Sequence, residues 1–157
     1  MKEISAVALV ISLIFTSGCS EKTTTEIEQR NGLYYALNET KPFTGAYKKS
    51  YPNGQKELEG NLKGGQQIGL WTTFFENGQK KQEVNFNNGQ LNGLSIFFFE
   101  NGQKKLEGNY KDGYQNGLAT RWDKNGQKEY EINYKDGKLN GLWTTFFKNG
   151  KKNKNTI

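Results

Sequence analysis

The sequence predicts an all-β protein, an elongated antiparallel meander of repeated 24-residue β-hairpins. Of its 157 residues 13% are aromatic, and 19 glycines accompany only two prolines, a composition that suits strands joined by tight turns. Sequence repeats with a period of 20–50 residues are typical of proteins built from stacked structural units. Three columns of glycine recur every 24 residues, at 45, 69, 93, 117 and 141, at 65, 89, 113 and 137, and in the Asn-Gly pairs 53–54, 77–78, 101–102, 125–126 and 149–150.

Residues 1–18 are interpreted as a signal peptide. A short charged start is followed by an apolar run from Ile4 to Phe15 and by small residues before Cys19. The run is shorter than the ~20 residues of a membrane-spanning helix. The segment that precedes Cys19 resembles the bacterial lipobox, whose cysteine is lipidated, for example with palmitate, and becomes the first mature residue. An ordinary signal peptide followed by an unrelated cysteine is the alternative. The resemblance implies an exported protein, lipid-anchored to a bacterial membrane.

The rest of the chain divides by composition into three parts. Residues 19–31 are polar and rich in threonine, and we interpret them as the lipidated cysteine and a flexible tether. Residues 32–150 hold the repeats. Residues 151–157 are interpreted as a basic, disordered tail. The net charge is +6, and four lysines supply most of it, at positions 148, 151, 152 and 154. On an exported protein such a tail is solvated or contacts anionic lipid, so we expect no nucleic-acid partner.

Each unit is predicted to be a hairpin whose second strand has one buried face. That strand alternates between polar and apolar residues, as at Leu106, Gly108 and Tyr110. We expect a three-residue loop at Glu76-Asn77-Gly78, a type I turn that ends in a left-handed glycine. Counted from this loop, one face collects the residues predicted to form the core, which are Leu70, Phe74, Val84 and Phe86 and their repeats.

The opposite face is the candidate binding surface for a partner. A glutamate ladder with the same 24-residue period is expected to rim its aromatic rings. Exposed apolar patches usually indicate a partner, here a peptide or a glycan. Mutual shielding of the rings, or a curled sheet that buries both faces, is the alternative. The rings are Tyr47, Tyr51, Trp71, Phe75, Phe99, Trp143 and Phe147, and the rim is Glu59, Glu83, Glu107 and Glu131.

The repeat unit resembles the MORN repeat variant. The pattern is G-x-W-x-x-F-[FY]-x-N-G-x-x-x-x-E-x-x-[FY]-x-[DN]-G-x-x-x, and it extends from about Phe43 to Phe147. Bacterial proteins built from this variant are often grouped as YwqK-like antitoxin-family proteins, and the chain is similar to them. The resemblance implies an elongated β-meander that acts as a scaffold without catalysis, and it leaves the partner undetermined.

Composition argues against an enzyme. The chain has no histidine and one cysteine, which excludes histidine or multi-cysteine metal sites and catalytic pairs that need histidine. We therefore expect no catalytic residue, no cofactor and no metal. The glutamate ladder could supply paired carboxylates for glycoside hydrolysis, but it recurs in every unit, whereas catalysis needs one pair with separated pKa values.

The leading hypothesis is a non-catalytic, membrane-anchored repeat protein that binds another protein of the cell envelope. Neutralisation of an envelope toxin or effector is one form of this activity. A glycan-binding or cell-wall-binding module is the alternative, because aromatic rings beside carboxylates can stack on sugars.

Overall fold

A computed structural model describes residues 22–154, so the proposed signal peptide and Cys19 lie outside the described residues. The described part forms fourteen β-strands and no helix, which confirms the all-β prediction. The strands are β1 Thr23–Thr24, β2 Ile27–Arg30, β3 Leu33–Ala36, β4 Gly45–Ser50, β5 Lys56–Lys63, β6 Gln66–Phe74, β7 Lys80–Asn87, β8 Gln90–Phe98, β9 Lys104–Lys111, β10 Tyr114–Gln115, β11 Gly117–Trp122, β12 Lys128–Lys135, β13 Lys138–Phe146 and β14 Lys152–Lys154.

Twelve strands make one sheet, in which β4 to β9 and β11 to β14 follow one another as antiparallel neighbours. The short β10 also pairs with β9, and β1 runs parallel to β4 at the opposite end. Strands β2 and β3 form a separate two-stranded hairpin. The predicted meander of hairpins is therefore confirmed, with this hairpin as an addition that the repeats do not contain.

The Asn-Gly loops have the predicted three residues. In the second unit the Gly78 N–H donates to Phe75 O at 2.9 Å, and the Phe75 N–H donates to Gln79 O at 2.8 Å. Gly78 has a φ of 82°, a left-handed conformation that glycine adopts without steric cost. The Asn77 side-chain oxygen accepts from the Gln79 N–H, which fixes the loop further.

One extra residue follows each of the first four loops and reverses the predicted assignment of the faces. Thr73 pairs with Gln82 but Phe74 pairs with Lys80, so Lys81 forms a bulge. Because successive side chains of a strand point to opposite faces, a slip of one residue exchanges the faces. The predicted core face is therefore wrong in its first strand.

The exchange places different residues in the core. Trp71, rather than Leu70, lies directly opposite the buried Val84, and Leu70 pairs with Asn85 and is exposed. Phe74 lies on the same side as Leu70 and is half-buried. The three-residue loop was predicted correctly, but the bulge restores the ladder register that a two-residue turn would have given.

The core lies at the N-terminal end of the sheet, beneath the β2–β3 hairpin. Phe43, Leu62, Trp71 and Val84 form the buried cluster. The hairpin packs against it through Ile27, Tyr34 and Ala36. Its attachment is also polar, because the Tyr34 N–H donates to Gly65 O and the Phe43 N–H to Tyr34 O, both at 2.9 Å.

Two predicted boundaries need correction. Strands β1 and β2 lie within the segment 19–31 that was interpreted as a flexible tether, and β14 lies within the predicted disordered tail 151–157. Both errors have the same origin. These short segments have no hydrophobic periodicity of their own, and they become strands by pairing with β4, β3 and β13.

Candidate functional site

We call the face that carries Trp71 and Val84 the inner face, and the face that carries Leu70 and Glu83 the outer face. The inner surface of β4 to β8 is the covered half, because the β2–β3 hairpin packs there. The inner surface of β9, β11, β12 and β13 is the open half. Within residues 22–154 no hairpin lies over it.

Trp71 is enclosed on all sides in the covered half and is only 5% exposed. A Cβ on Gly60 would collide with its indole ring, so the ring lies directly on the Gly60 backbone. Tyr47 and Phe86 flank the ring, each with a centroid distance of 6.2 Å. The indole N–H donates to Asn61 O at 3.1 Å. Trp71 is thus a core residue, and the prediction that it is an accessible binding ring is wrong.

Trp143 occupies the equivalent position three units later and is 38% exposed. Tyr130 contacts it edge to face at a centroid distance of 6.2 Å, and Ile132 lies opposite it in the ladder. Among the described residues its indole N–H has no hydrogen-bond acceptor. Trp143 therefore keeps both apolar surface and a polar group available for a partner.

The open half is a mainly apolar surface. Leu139, which pairs with Tyr134, is 55% exposed, and it lies on the same face as Trp143. The apolar inner-face positions of the ladder there are Leu106, Tyr110, Ala119, Tyr130, Ile132, Tyr134, Leu139 and Trp143, and Arg121 lies between Leu106 and Tyr130 on the same face. Ala119 and Ile132 are buried, so the accessible apolar surface comes from Leu139, Trp143 and the half-buried side chains around them.

One ion pair lies at the border of this surface. Arg121 Nε is 2.6 Å from Glu129 Oε2, and the guanidinium lies 5.9 Å from the Tyr130 ring centroid. The hydrogen bond to Glu129 raises the pKa of Arg121 above its usual value. The two opposite charges neutralise each other at this border of the open half.

The glutamate ladder lies on the outer face, so it does not rim the rings as predicted. Glu83 pairs with Thr72 and therefore points away from Trp71. In every unit the carboxylate binds a lysine three residues earlier, in the pairs Lys56–Glu59, Lys80–Glu83, Lys104–Glu107 and Lys128–Glu131. The carboxylates are engaged in solvated ion pairs, and the structure does not bring them together with the inner-face rings.

The outer face has its own column of aromatic rings beside these ion pairs, which includes Phe74, Trp122 and Phe146. Lysine ammonium groups lie over three of the rings, as in Lys104 over Trp122 at 5.8 Å and Lys56 over Phe74 at 5.2 Å. A surface groove recurs there between adjacent Asn-Gly loops. It is lined by Lys104, Trp122, Asn125 and Gly126 in one unit and by Lys128, Phe146, Asn149 and Gly150 in the next.

A column of exposed leucines also runs along the outer face. Its ladder partners are asparagines, so the column forms separate apolar spots rather than a continuous patch. The leucines are Leu70, Leu94, Leu118 and Leu142, and the asparagines are Asn85, Asn109 and Asn133.

The remaining predicted rings lie close to the Asn-Gly loops or in the core. Tyr47 packs against the core cluster and is half-buried, and burial raises its pKa. Tyr51 is half-buried and donates from its hydroxyl to Phe74 O at 2.7 Å. Phe75 and Phe99 are half-buried beneath Lys81 and Lys105. Phe147 is 52% exposed, so Trp143 and Phe147 are the two predicted rings that are most accessible.

The sequence prediction missed Tyr130, Tyr134 and Leu139 as members of the site. Tyr130 and Tyr134 belong to second strands whose face was assigned to a buried core, and Leu139 was assigned to neither face. Alternation alone gives no sign that the last units lack a cover. Clusters of three or more potential metal-binding side chains are absent from residues 22–154. No helix in that range has the length and apolar character needed to cross a membrane.

Comparison with known proteins supports the repeat assignment. No curated protein sequence matches the chain. The MORN repeat variant family matches three successive segments, residues 67–88, 91–112 and 115–136. Repeats of this family are commonly modules that bind proteins or membranes. The central units of this chain, which build both the covered and the open half, are therefore similar to MORN repeat variants, and the MORN resemblance is confirmed for them.

Proposed function

We propose that the protein is a non-catalytic repeat scaffold that binds another protein of the cell envelope through its open half. The observation that supports this most strongly is the contrast between two equivalent tryptophans. Trp71 is buried beneath the protein's own hairpin, whereas Trp143 is uncovered on the same face. An exposed apolar surface of this kind, with polar residues at its border, is typical of an interaction site.

The chemistry of the open half favours a protein partner. Tryptophan, tyrosine and arginine are the residue types that contribute most to binding at protein interfaces, and Trp143, Tyr130 and Arg121 lie together here. Charged residues are depleted from the centres of such interfaces. The open half meets this condition, because its one arginine is paired with Glu129.

The cellular setting of the proposal rests on the first residues of the sequence. Processing before Cys19 and lipidation of its thiol would place the repeats at a membrane surface in the cell envelope. The partner would then be an exported protein, such as an envelope toxin or effector in an antitoxin or immunity role. Cys19→Ser should release the protein from the membrane fraction and abolish incorporation of labelled palmitate, and unchanged membrane association would contradict the anchor.

The binding proposal is tested by affinity capture from the native envelope. The mature chain with Trp143→Ala and Leu139→Ala should lose a protein that the unchanged chain captures, because both substitutions remove exposed inner-face surface. Leu142→Ala is the matched control, since Leu142 is adjacent in sequence, 61% exposed and on the outer face. Equal capture by the inner-face variant and the control would overturn the proposal.

Glycan binding is a second candidate, and the repeated outer-face groove favours it. Trp122 and Phe146 lie one repeat apart, and each ring has a lysine and an asparagine side chain beside it. Sedimentation with purified cell wall should then depend on Trp122 but not on Trp143. Sedimentation that Trp122→Ala leaves unchanged would exclude this groove as the glycan site.

A further inference from the structure

We propose that two copies of the chain cover each other's open half, face to face, in a weak and reversible dimer. The inference rests on the proposed function, because it names a second copy as an occupant of the same surface. It adds a resting state in which the apolar face is shielded until another partner competes for it.

The size of the open half fits a weak dimer. Four strands at ~4.8 Å spacing and about eight residues at ~3.3 Å per residue give a surface of about 19 by 26 Å, or roughly 500 Å². Two copies would therefore bury on the order of 1,000 Å². That value lies at the lower limit for a specific interface and below the range of permanent dimers. We accordingly expect a dissociation constant in the micromolar range rather than an obligate dimer.

The charge distribution favours a second copy over a strongly charged partner at this surface. The whole chain carries a net charge of +6, so two copies repel each other over most approaches. The open half avoids this repulsion, since Arg121 and Glu129 neutralise each other. In a two-fold arrangement Arg121 of one copy can lie near Glu129 of the other, and the reverse, so that opposite charges meet.

The covered half shows which chemistry satisfies this face. Trp71 is flanked by two rings, Tyr47 and Phe86, and the β2–β3 hairpin adds Ile27 and Tyr34 to the same cluster. Trp143 has one ring partner, Tyr130.

A second open half can supply the missing contacts. It presents the same kinds of side chain, since Leu139, Tyr134 and Trp143 of one copy would meet their equivalents in the other. Aromatic pairs at such an interface stabilise it beyond the effect of their buried area.

The test is sedimentation-velocity centrifugation of the mature chain with Cys19→Ser, from about 1 to 200 µM. The unchanged open half should give a concentration-dependent shift from monomer to dimer. Trp143→Asp should leave a monomer throughout the range, because it places a charge at the centre of the interface. Leu142→Asp introduces the same charge on the outer face and should still dimerise. Far-UV circular dichroism that matches across the variants confirms their fold.

The outcomes separate this inference from the proposed function. A monomer at all concentrations, or a dimer that Trp143→Asp leaves intact, overturns the inference. If the chain is monomeric and Trp143 is still required to capture an envelope protein, the inference fails and the proposed function stands. If Trp143 is required for dimerisation and the chain captures no envelope protein, the dimer stands and the proposal of a different partner fails. Competition between the two is expected, so a captured partner should dissociate the dimer.

Discussion

Two identical stretches of sequence have different environments in this molecule. Residues 69–75 and residues 141–147 both read GLWTTFF. Trp71 in the first stretch is 5% exposed, whereas Trp143 in the second is 38% exposed. The neighbours within the sheet differ, since Trp71 lies between Gly60 of β5 and Val84 of β7, whereas Trp143 lies opposite Ile132 of β12 and is followed only by the short β14. Burial is therefore decided by the residues on the adjacent strands together with the hairpin that covers the sheet, and identity within one seven-residue stretch does not determine it.

The difference also indicates where function is located in a repeat array. A hairpin outside the repeats converts half of the inner face into a core, and the same residues three units later remain a surface. Nearest-neighbour packing keeps both halves folded, because each unit contacts the next in the same way. The scaffold can thus carry an apolar surface that its stability does not require.

The largest expected contrast is between the two tryptophans. Trp71→Ala should lower the free energy of unfolding by about 3–5 kcal/mol, because it leaves a cavity on Gly60 and removes the hydrogen bond to Asn61 O. Trp143→Ala removes a partly exposed ring and should cost roughly 1–2 kcal/mol. Urea titrations followed by circular dichroism measure both values.

Leucines of the same two stretches provide the control for this contrast. Leu70→Ala and Leu142→Ala should have small and similar effects of less than about 1 kcal/mol, because both side chains are exposed on the outer face. Equal losses for Trp71→Ala and Trp143→Ala would show that the open half is covered in solution.

A smaller contrast is expected between two glycines at equivalent strand positions. Gly60 lies under the Trp71 ring, and the Cβ of an alanine there would collide with it. Overpacking of this kind typically costs about 1–3 kcal/mol. Gly108 faces Ala119, and the nearest atom to an added Cβ would be 3.5 Å away, an ordinary contact. Gly108→Ala should therefore be neutral, or stabilising by up to ~1 kcal/mol through the unfolded state.

Thermal unfolding of the two alanine variants measures this difference. The cost of Gly60→Ala should also disappear in a Trp71→Ala background, because the two residues are in direct contact. A persistent cost in that background would mean that the backbone at Gly60, rather than the ring above it, requires glycine.

Sequence reasoning predicted the parts of the fold that local chemistry determines. The glycine columns identified the turns, and the loop at Glu76-Asn77-Gly78 has the predicted length. The face assignment was wrong because the bulge at Lys81 adds one residue that no local signal distinguishes from a regular strand.

Of the rings predicted to bind a partner, Trp143 and Phe147 are exposed, whereas Trp71 is covered and the glutamates lie on the other face. The cover over Trp71 depends on how β2–β3 folds back over the sheet, whereas the position of the glutamates follows from the bulge at Lys81. The hairpin that supplies the cover carries no repeat, so the glycine columns do not predict where it packs.

The smallest expected effect concerns the pH dependence of the covered half. Burial raises the pKa of Tyr47 above its usual value of 10.0. The folded state therefore favours the neutral phenol, so the contribution of Tyr47 is fully present below pH ~10 and is lost as the pH rises through the folded-state pKa.

Tyr47→Phe keeps the ring beside Trp71 and removes the ionisation. The unfolding midpoint of the unchanged chain should consequently fall further between pH 8 and pH 11 than that of Tyr47→Phe, although both chains lose lysine charge over this range. Identical pH profiles would mean that Tyr47 is solvated in the folded protein, and that the cover over this half opens more readily than the hydrogen bonds of Tyr34 with Gly65 and Phe43 imply.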